Sequence, residues 1–289
     1  MSSDSGLLVV DKPAGWTSHQ VVGRARRTFG TRKVGHAGTL DPMATGVLIL
    51  GINRATRLLG HLALHDKAYE ATIRLGESTN TDDAEGEVIS SASATGLTEA
   101  DLEPQIAALT GEIWQTPSSF SAIKVNGQRA YALARKGHEI DLPQRQVSVT
   151  EFTVTGLHPV GELLDVSVRV TCSSGTYVRA LARDLGAGLG VGGHLTMLRR
   201  TRIGRYDISD AQSLEDSPRL MSMAEAAALS FPCVTLDEAQ SADVRYGRSL
   251  PLDVPADPTG LLAPSGQLLA LYRPDPDEAG RARPVAVLV

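Results

Sequence analysis

The chain has 289 residues, 42% of them hydrophobic and 21% charged, with a formal net charge of −5. That length holds one large domain or a large and a small one, and the apolar content suffices for a packed core. No apolar run is long enough to span a bilayer, and the start, MSSDSGLLVVDKP, has no cationic leader. Cys172 and Cys233 are too few and too far apart for a disulfide framework or a metal site, so a soluble, reduced, cytoplasmic protein is expected.

Residues 7–10 form a short apolar run that reads as a strand, stopped by a turn at Asp11-Lys12-Pro13-Ala14-Gly15. Thr17 or Ser18 caps a helix to about Phe29, with Val21, Val22, Ala25 and Phe29 on one face and Gly30 as its stop. Residues 35–46, GHAGTLDPMATG, show neither alternation nor helical period and read as a loop. A buried strand at 47–50 and a helix over 54–64 follow, the helix packing through Leu58, Leu59 and Leu62. Residues 67–75, KAYEATIRL, alternate as a strand with Tyr69, Ala71, Ile73 and Leu75 on one face. The acidic segment 79–87 reads as a solvated loop, and its spacing fails the calcium-loop pattern. A helix over 98–109 carries Thr98 and Asp101 as a box-like cap.

Residues 117–145 mix polar and basic residues around a hairpin signal at Asn126-Gly127, with a short helix ending at Gly137. Strands at 147–154 and 163–172 are expected to pair as neighbours, and the turn at 173–176 opens a helix over 177–189. GLGVGG at 188–193 formally satisfies a dinucleotide fingerprint, but it follows a helix and reads as a turn. Residues 209–230 are Ala- and Met-rich and read as helical, and Phe231-Pro232 marks a domain boundary. Beyond it come short strands, a Ser265-Gly266 turn and a closing strand at 285–289, which suit a small β-barrel.

The negative net charge is unevenly spread. Residues 77–103 hold eight acidic residues and no Lys or Arg, and from Tyr206 onward 13 acidic residues face 6 basic ones. Residues 169–205 hold seven arginines against Asp184 alone, and residues 12–40 hold six Lys or Arg and no acid. A positive face on an acidic protein is compatible with phosphate binding. Asp41 is thus a lone carboxylate at the end of a cationic segment, which suits a nucleophile working beside a polyanion. Arg179, in the first turn of its helix, is misplaced with respect to the helix dipole and calls for a carboxylate partner, for which Asp41 is the natural candidate.

GHAGTLDPMATG, together with GTYVR at 175–179 and HLTMLRRTRIGR at 194–205, resembles the bacterial tRNA pseudouridine-55 synthases (the TruB family). Guide-dependent archaeal and eukaryotic relatives share the first half of the long string, so that string alone does not exclude them. The resemblance implies an α+β fold: a large mixed, mainly antiparallel sheet with flanking helices, plus a small C-terminal β-barrel-like (PUA-like) domain. It divides the chain into a catalytic domain at 1–230, with an RNA-clasping insertion at about 117–146, and an RNA-binding domain at 231–289.

The activity implied is isomerisation of uridine 55 in the tRNA T loop to pseudouridine. Asp41 would be the nucleophile, Arg179 its partner, and Tyr69 the stacking residue, with an acid/base role open to it. Tyr177 and Leu198 would wall the uracil pocket, His36 would fill the space left by flipped nucleotides, and Lys12 and Pro13 would support the pocket floor. Arg32, Lys33, Lys124, Arg129, Arg199, Arg200 and Arg202 are candidates for RNA backbone contacts, facing phosphate or solvent. No cofactor, metal, membrane or guide RNA is implied, and a monomer acting on tRNA is expected.

Two other readings of the sequence stay open. An RNA-binding or folding module would use the basic insertion without depending on catalysis. A carboxylate glycosidase or nucleosidase would use similar C1′ chemistry, but such enzymes place two carboxylates at the site, whereas Asp41 stands alone in its segment. The residues do not choose between attack of Asp41 on C1′ and removal of the 2′ proton to give a glycal.

Overall fold

A run of four apolar residues without alternation should be a strand buried on both faces, and the computed structural model places 7–10 in such a strand, Gly6–Lys12. The structure describes residues 4–118, 124–125, 128–129, 142–216 and 218–289. Leu7 and Val9 join one apolar cluster with Val47, Ile49, Leu58 and Leu62. Leu8 and Val10 join another with Val21, Val22, Ala25, Leu48 and Leu50.

The chain divides into two compact units. The first comprises Met1–Pro42, Gly46–Ala63 and Ile203–Val289. Here Gly6–Lys12 pairs antiparallel with Thr45–Ile52, Gly6 opposite Ile52 and Lys12 opposite Gly46, and also with the short strand Met221–Ser222. Helix Ser18–Thr28 starts at a capping box in which Gln20 N–H donates to Thr17 Oγ1 (3.1 Å) and Thr17 N–H to Gln20 Oε1 (2.7 Å). It buries Val21, Val22 and Ala25, as the periodicity requires.

A four-stranded sheet closes the sequence, in the order Cys233–Thr235, Thr259–Leu262, Leu268–Pro274, Ala282–Val287. Its first pair is parallel and the rest antiparallel. One side packs on helix Glu238–Arg245 through Val244, Leu261, Leu269 and Tyr272, while Leu268, Leu271 and Leu288 join the cluster of Leu7 and Val9. The Ser265-Gly266 turn is present, with Gly266 at φ +81° and its N–H donating to Ala263 C=O (2.9 Å).

The second unit comprises Met43–Thr45 and Leu64–Arg202. Its strands run in the order Gly193–Ile203, Lys67–Leu75, Leu163–Cys172, Arg145–Val160, Gly111–Gln115. Lys67–Leu75 alternates as expected, with Tyr69, Ala71, Ile73 and Leu75 buried, and lies antiparallel to Leu163–Cys172 with Tyr69 opposite Val170. Arg145–Val160 pairs antiparallel with Leu163–Cys172, so the two neighbouring strands are where the alternation put them. Glu99–Ala108 begins at the Thr98–Asp101 capping box, and Val178–Gly188 follows the turn at 173–176. Fold class is therefore α+β, with mainly antiparallel strands, flanking helices and a separate small C-terminal sheet.

Three expectations need correction. The loop at 35–46 begins as a strand, Val34–Ala37, antiparallel to Thr45–Ile52 with His36 opposite Leu50. The helix expected over 54–64 is a 3-10 turn, Asn53–Arg57, followed by the single turn Leu59–Leu62, although Leu58, Leu59 and Leu62 are all buried. Among the described residues of 209–230, only Met223–Ser230 is an α-helix. Gln212 instead borders the first strand, donating its N–H to Val9 C=O (2.9 Å) and accepting from Asp11 N–H (3.2 Å). Its side-chain amide spans the backbone of Arg219 in both directions, at 3.0 and 2.9 Å. Backbone groups already committed to a neighbouring strand cannot complete a helix.

Candidate active site

The turn carrying Asp41 is fixed through the residues on either side of it. Ser18 Oγ donates to Leu40 C=O (3.0 Å) and accepts from Leu40 N–H (2.9 Å). On the other side, Pro42 C=O accepts from Gly15 N–H (2.9 Å) and from Lys12 Nζ (3.2 Å). Lys12 is 0% exposed, and its ammonium also donates to the carbonyls of Pro13 (2.9 Å) and Trp16 (2.6 Å). A buried ammonium has three donors to satisfy, and these three carbonyls supply the acceptors. Lys12 thus ties the backbone of Pro13, Trp16 and Pro42 together beside Asp41, which is half-buried.

The glycines of this motif answer to geometry. Gly38 has φ +90°, a region most side chains avoid. Gly35 lies opposite Gly51, and a Cβ on either would stand 2.9 Å from Leu59 Cδ1 or 2.8 Å from Ala55 C=O. His36 is half-buried on the same short strand, opposite Leu50.

Tyr69, Tyr177, Arg179 and Leu198 belong to the second unit. Tyr69 and Leu198 are buried on their strands. Tyr177 precedes helix Val178–Gly188, where the buried Gln115 side chain grips it. Tyr177 N–H donates to Gln115 Oε1 (2.8 Å), and Gln115 Nε2 donates to Tyr177 C=O (3.1 Å). The Arg145 guanidinium lies 5.5 Å from the centre of the Tyr177 ring.

Arg179 is buried and meets a carboxylate within its own unit. That carboxylate is Asp83, at 3.3 Å from Nη1. Nη1 also donates to Thr81 C=O (2.9 Å) and Ser118 Oγ (3.4 Å). Asp83, expected in a solvated loop, is 3% exposed. Its Oδ1 further accepts from Thr81 Oγ1 (2.6 Å) and Glu85 N–H (3.1 Å), a side-chain turn that pulls the carboxylate inward. Aspartate two residues before a backbone donor is a readable turn signal, but its burial depends on an arginine almost a hundred residues away. Gln115 gave no sequence signal.

The cationic candidates separate by burial. Arg32 and Lys33 are exposed, and Arg199 is half-buried with Nη1 near Thr45 Oγ1 (3.3 Å). Arg202 pairs with Asp66 (2.7 Å). Arg200 was expected to face phosphate or solvent but is 1% exposed, on the inward side of Gly193–Ile203. Nearby Lys67 is buried, donates to His65 C=O (2.8 Å), and is brought down to about 8 by burial and by the Arg200 charge. Burial likewise pushes the Cys172 thiol up to about 11.

In the expected insertion, Lys124 and Val125 pair with Arg129 and Gln128 as a small hairpin. The side chains of Lys124 and Arg129, and the short helix ending at Gly137, lie outside the described residues.

Three family descriptions match the chain in succession. "TruB family pseudouridylate synthase (N terminal domain)" matches residues 26–178, "tRNA pseudouridylate synthase B C-terminal domain" residues 179–230, and "tRNA Pseudouridine synthase II, C terminal" residues 231–289. A tRNA pseudouridine synthase B of Cutibacterium acnes is 58% identical over 290 residues, covering 99% of this chain and 98% of the relative. One of Thermobifida fusca is 54% identical over 289 residues, covering 98% of each. Among solved structures, a Cbf5-Nop10-Gar1 complex contains a chain 26% identical, with a TM-score of 0.69 over 93% of this chain and 78% of that one.

Proposed function

The chain belongs to the TruB family of pseudouridylate synthases, and from that premise we propose that it converts uridine 55 in the T loop of tRNA to pseudouridine, with Asp41 acting at the ribose. The observation that carries the assignment to Asp41 is the clamping of Leu40 by Ser18 and of Pro42 by Lys12 and Gly15. A carboxylate whose two neighbours are fixed, and whose own side chain is only half-buried, is preorganised for a reacting atom.

In this isomerisation the N1–C1′ bond breaks and a C5–C1′ bond forms. The C5 proton leaves and N1 gains one, so substrate and product are isomers and no co-reactant is consumed. Asp41 acts first, at C1′ or at the 2′ proton. The target nucleotide must leave the folded loop, at a cost of a few kcal/mol, and His36 is assigned to the space it vacates. Tyr69 stacks on the base, Tyr177 and Leu198 confine it, and Arg179 is assigned as the partner of the Asp41 carboxylate. Within its own unit Arg179 is steadied by Asp83.

Arg32, Lys33 and Arg199, exposed or half-buried, are the better candidates for phosphate; Arg200 is inward-facing. We read the protein as a cytoplasmic monomer working without guide RNA; among the described residues no helix is long and apolar enough to cross a membrane. The test is incubation of the pure protein with a tRNA transcript, followed by carbodiimide mapping and mass spectrometry. One pseudouridine at position 55, absent from a transcript with cytidine there, is expected. Free uracil in place of pseudouridine would instead indicate a nucleosidase.

A further inference from the structure

Arg179 has a counterpart one helical turn further along Val178–Gly188. Arg183 donates from Nη2 to Thr116 C=O (2.8 Å), from Nε to Asp184 Oδ1 (2.8 Å) and from Nη1 to Asp82 Oδ2 (3.4 Å). Arginines at i and i+4 on one helix face repel each other, yet here each meets one of two successive aspartates, Asp83 for Arg179 and Asp82 for Arg183. Asp82 occupies left-handed backbone, φ +61°, and its carbonyl accepts from Leu195 N–H (3.1 Å). The Thr116 carbonyl lies between Gln115, which grips Tyr177, and Ser118, which accepts from Arg179. Arg183 therefore joins the acidic turn, the 115–118 segment and the helix.

We propose that Arg183 is a positioning residue for the reaction. By tying Asp82 to the Thr116 carbonyl, it holds Asp83, Arg179 and Tyr177 in one fixed arrangement. This rests on the pseudouridine-forming reading above. Charge supports it: burial pushes Asp82 and Asp184 above the ordinary carboxylate range, and Arg183 opposes that in both. The groups facing Asp82 are Arg183, Arg179, Ser118 and Asp184. Removal of Arg183 leaves both carboxylates with less opposing charge, so they protonate at higher pH and the turn loses its ties.

The experiment compares Arg183→Met, Arg183→Lys, Asp82→Asn and the Arg183→Met/Asp82→Asn double variant, full length and well below each melting midpoint. Single-turnover rate at saturating enzyme and tRNA affinity are measured for each, across pH. Arg183→Met and Asp82→Asn are expected to slow the single-turnover step roughly tenfold, with tRNA affinity within about twofold of wild type. The double variant should be no slower than the slower single, because the two side chains act through one contact. Arg183→Lys should recover part of the rate, and the acid limb of the Met variant should shift to higher pH. Rates within about twofold of wild type for both singles, or losses that multiply in the double, overturn the proposal. So does weakened tRNA binding with an unchanged saturated rate, which makes Arg183 a binding residue. A wild type that forms no pseudouridine would instead defeat the underlying functional reading.

Discussion

Asp41 lies in the turn between Val34–Ala37 and Thr45–Ile52, Asp83 in the turn between the paired strands Glu77–Thr79 and Val88–Ser91, and the bonds that fix the two turns differ. Around Asp41 the fixing bonds go to the backbone of its neighbours, from Ser18, Lys12 and Gly15. At Asp83 the bonds go to the carboxylate itself, from Arg179, Thr81 and the Glu85 backbone, and the group is buried. One arrangement orients a carboxylate while leaving its side chain half-buried; the other consumes the carboxylate as structure. A buried charge is tolerable only when paired and hydrogen-bonded, so Asp83 suits the holding of an arginine, whereas the proposed reaction has Asp41 meet the substrate.

The variant expected to strain this contrast most, apart from any at Asp41, is Asp83→Asn. It leaves Arg179 buried without its anionic partner, a loss that costs roughly 3 kcal/mol or more. Denaturant unfolding should show that loss, and turnover should fall about a hundredfold while tRNA still binds. Wild-type stability in this variant would mean that the buried pair contributes nothing.

Lys12→Met comes next. It strips charged donors from three carbonyls, worth roughly 2 kcal/mol, and lets Pro42 drift, so turnover should fall more than affinity. An affinity loss alone would place Lys12 at the RNA instead of beneath the turn. Ser18→Ala removes both partners of the Leu40 backbone and should cost about 1–2 kcal/mol, with a several-fold loss of turnover measurable under single-turnover conditions. Unaltered turnover there would show that the Asp41 turn keeps its shape without that clamp.

The smallest effect concerns charge away from both turns. Lys67 is a weaker base folded, about 8, than its ordinary 10.5. The unfolded chain thus binds more protons between those values, and this group's contribution to stability rises with pH through that window, being lost as pH falls through about 8. Cys172, raised from 9.0 to about 11, acts in the opposite sense at higher pH. Urea midpoints at about pH 7.5 and 9 should show wild type gaining about 1 kcal/mol relative to Lys67→Met. Parallel midpoints would mean that Lys67 keeps its ordinary basicity.

What could be read from the sequence was what neighbouring residues determine. The cap at Thr17 and Gln20, the Thr98–Asp101 box and the alternation of 67–75 each depend on residues within a turn or a strand, and each is present. The glycines of 35–46 likewise marked a stretch with special backbone needs, although its strand depends on pairing with Thr45–Ile52. What escaped is non-local. Arg179, in helix Val178–Gly188, and Asp83, in a turn, come together from far apart in the chain, and Gln115 reaches Tyr177 across two elements. Residues 209–230 misled because Ala and Met favour helix, while Gln212 spends its backbone on the first strand. Arg200 looked exposed because arginine usually is, yet its strand turns that position inward.

The most direct test of the account is rapid-quench tritium release from tRNA carrying 5-tritiated uridine, with wild type and Asp41→Asn each in excess over RNA. Wild type should release the label from position 55 in a single exponential phase. Asp41→Asn should bind the same tRNA and release none. Release by Asp41→Asn at a rate near that of wild type would contradict the assignment of Asp41 as the reacting carboxylate.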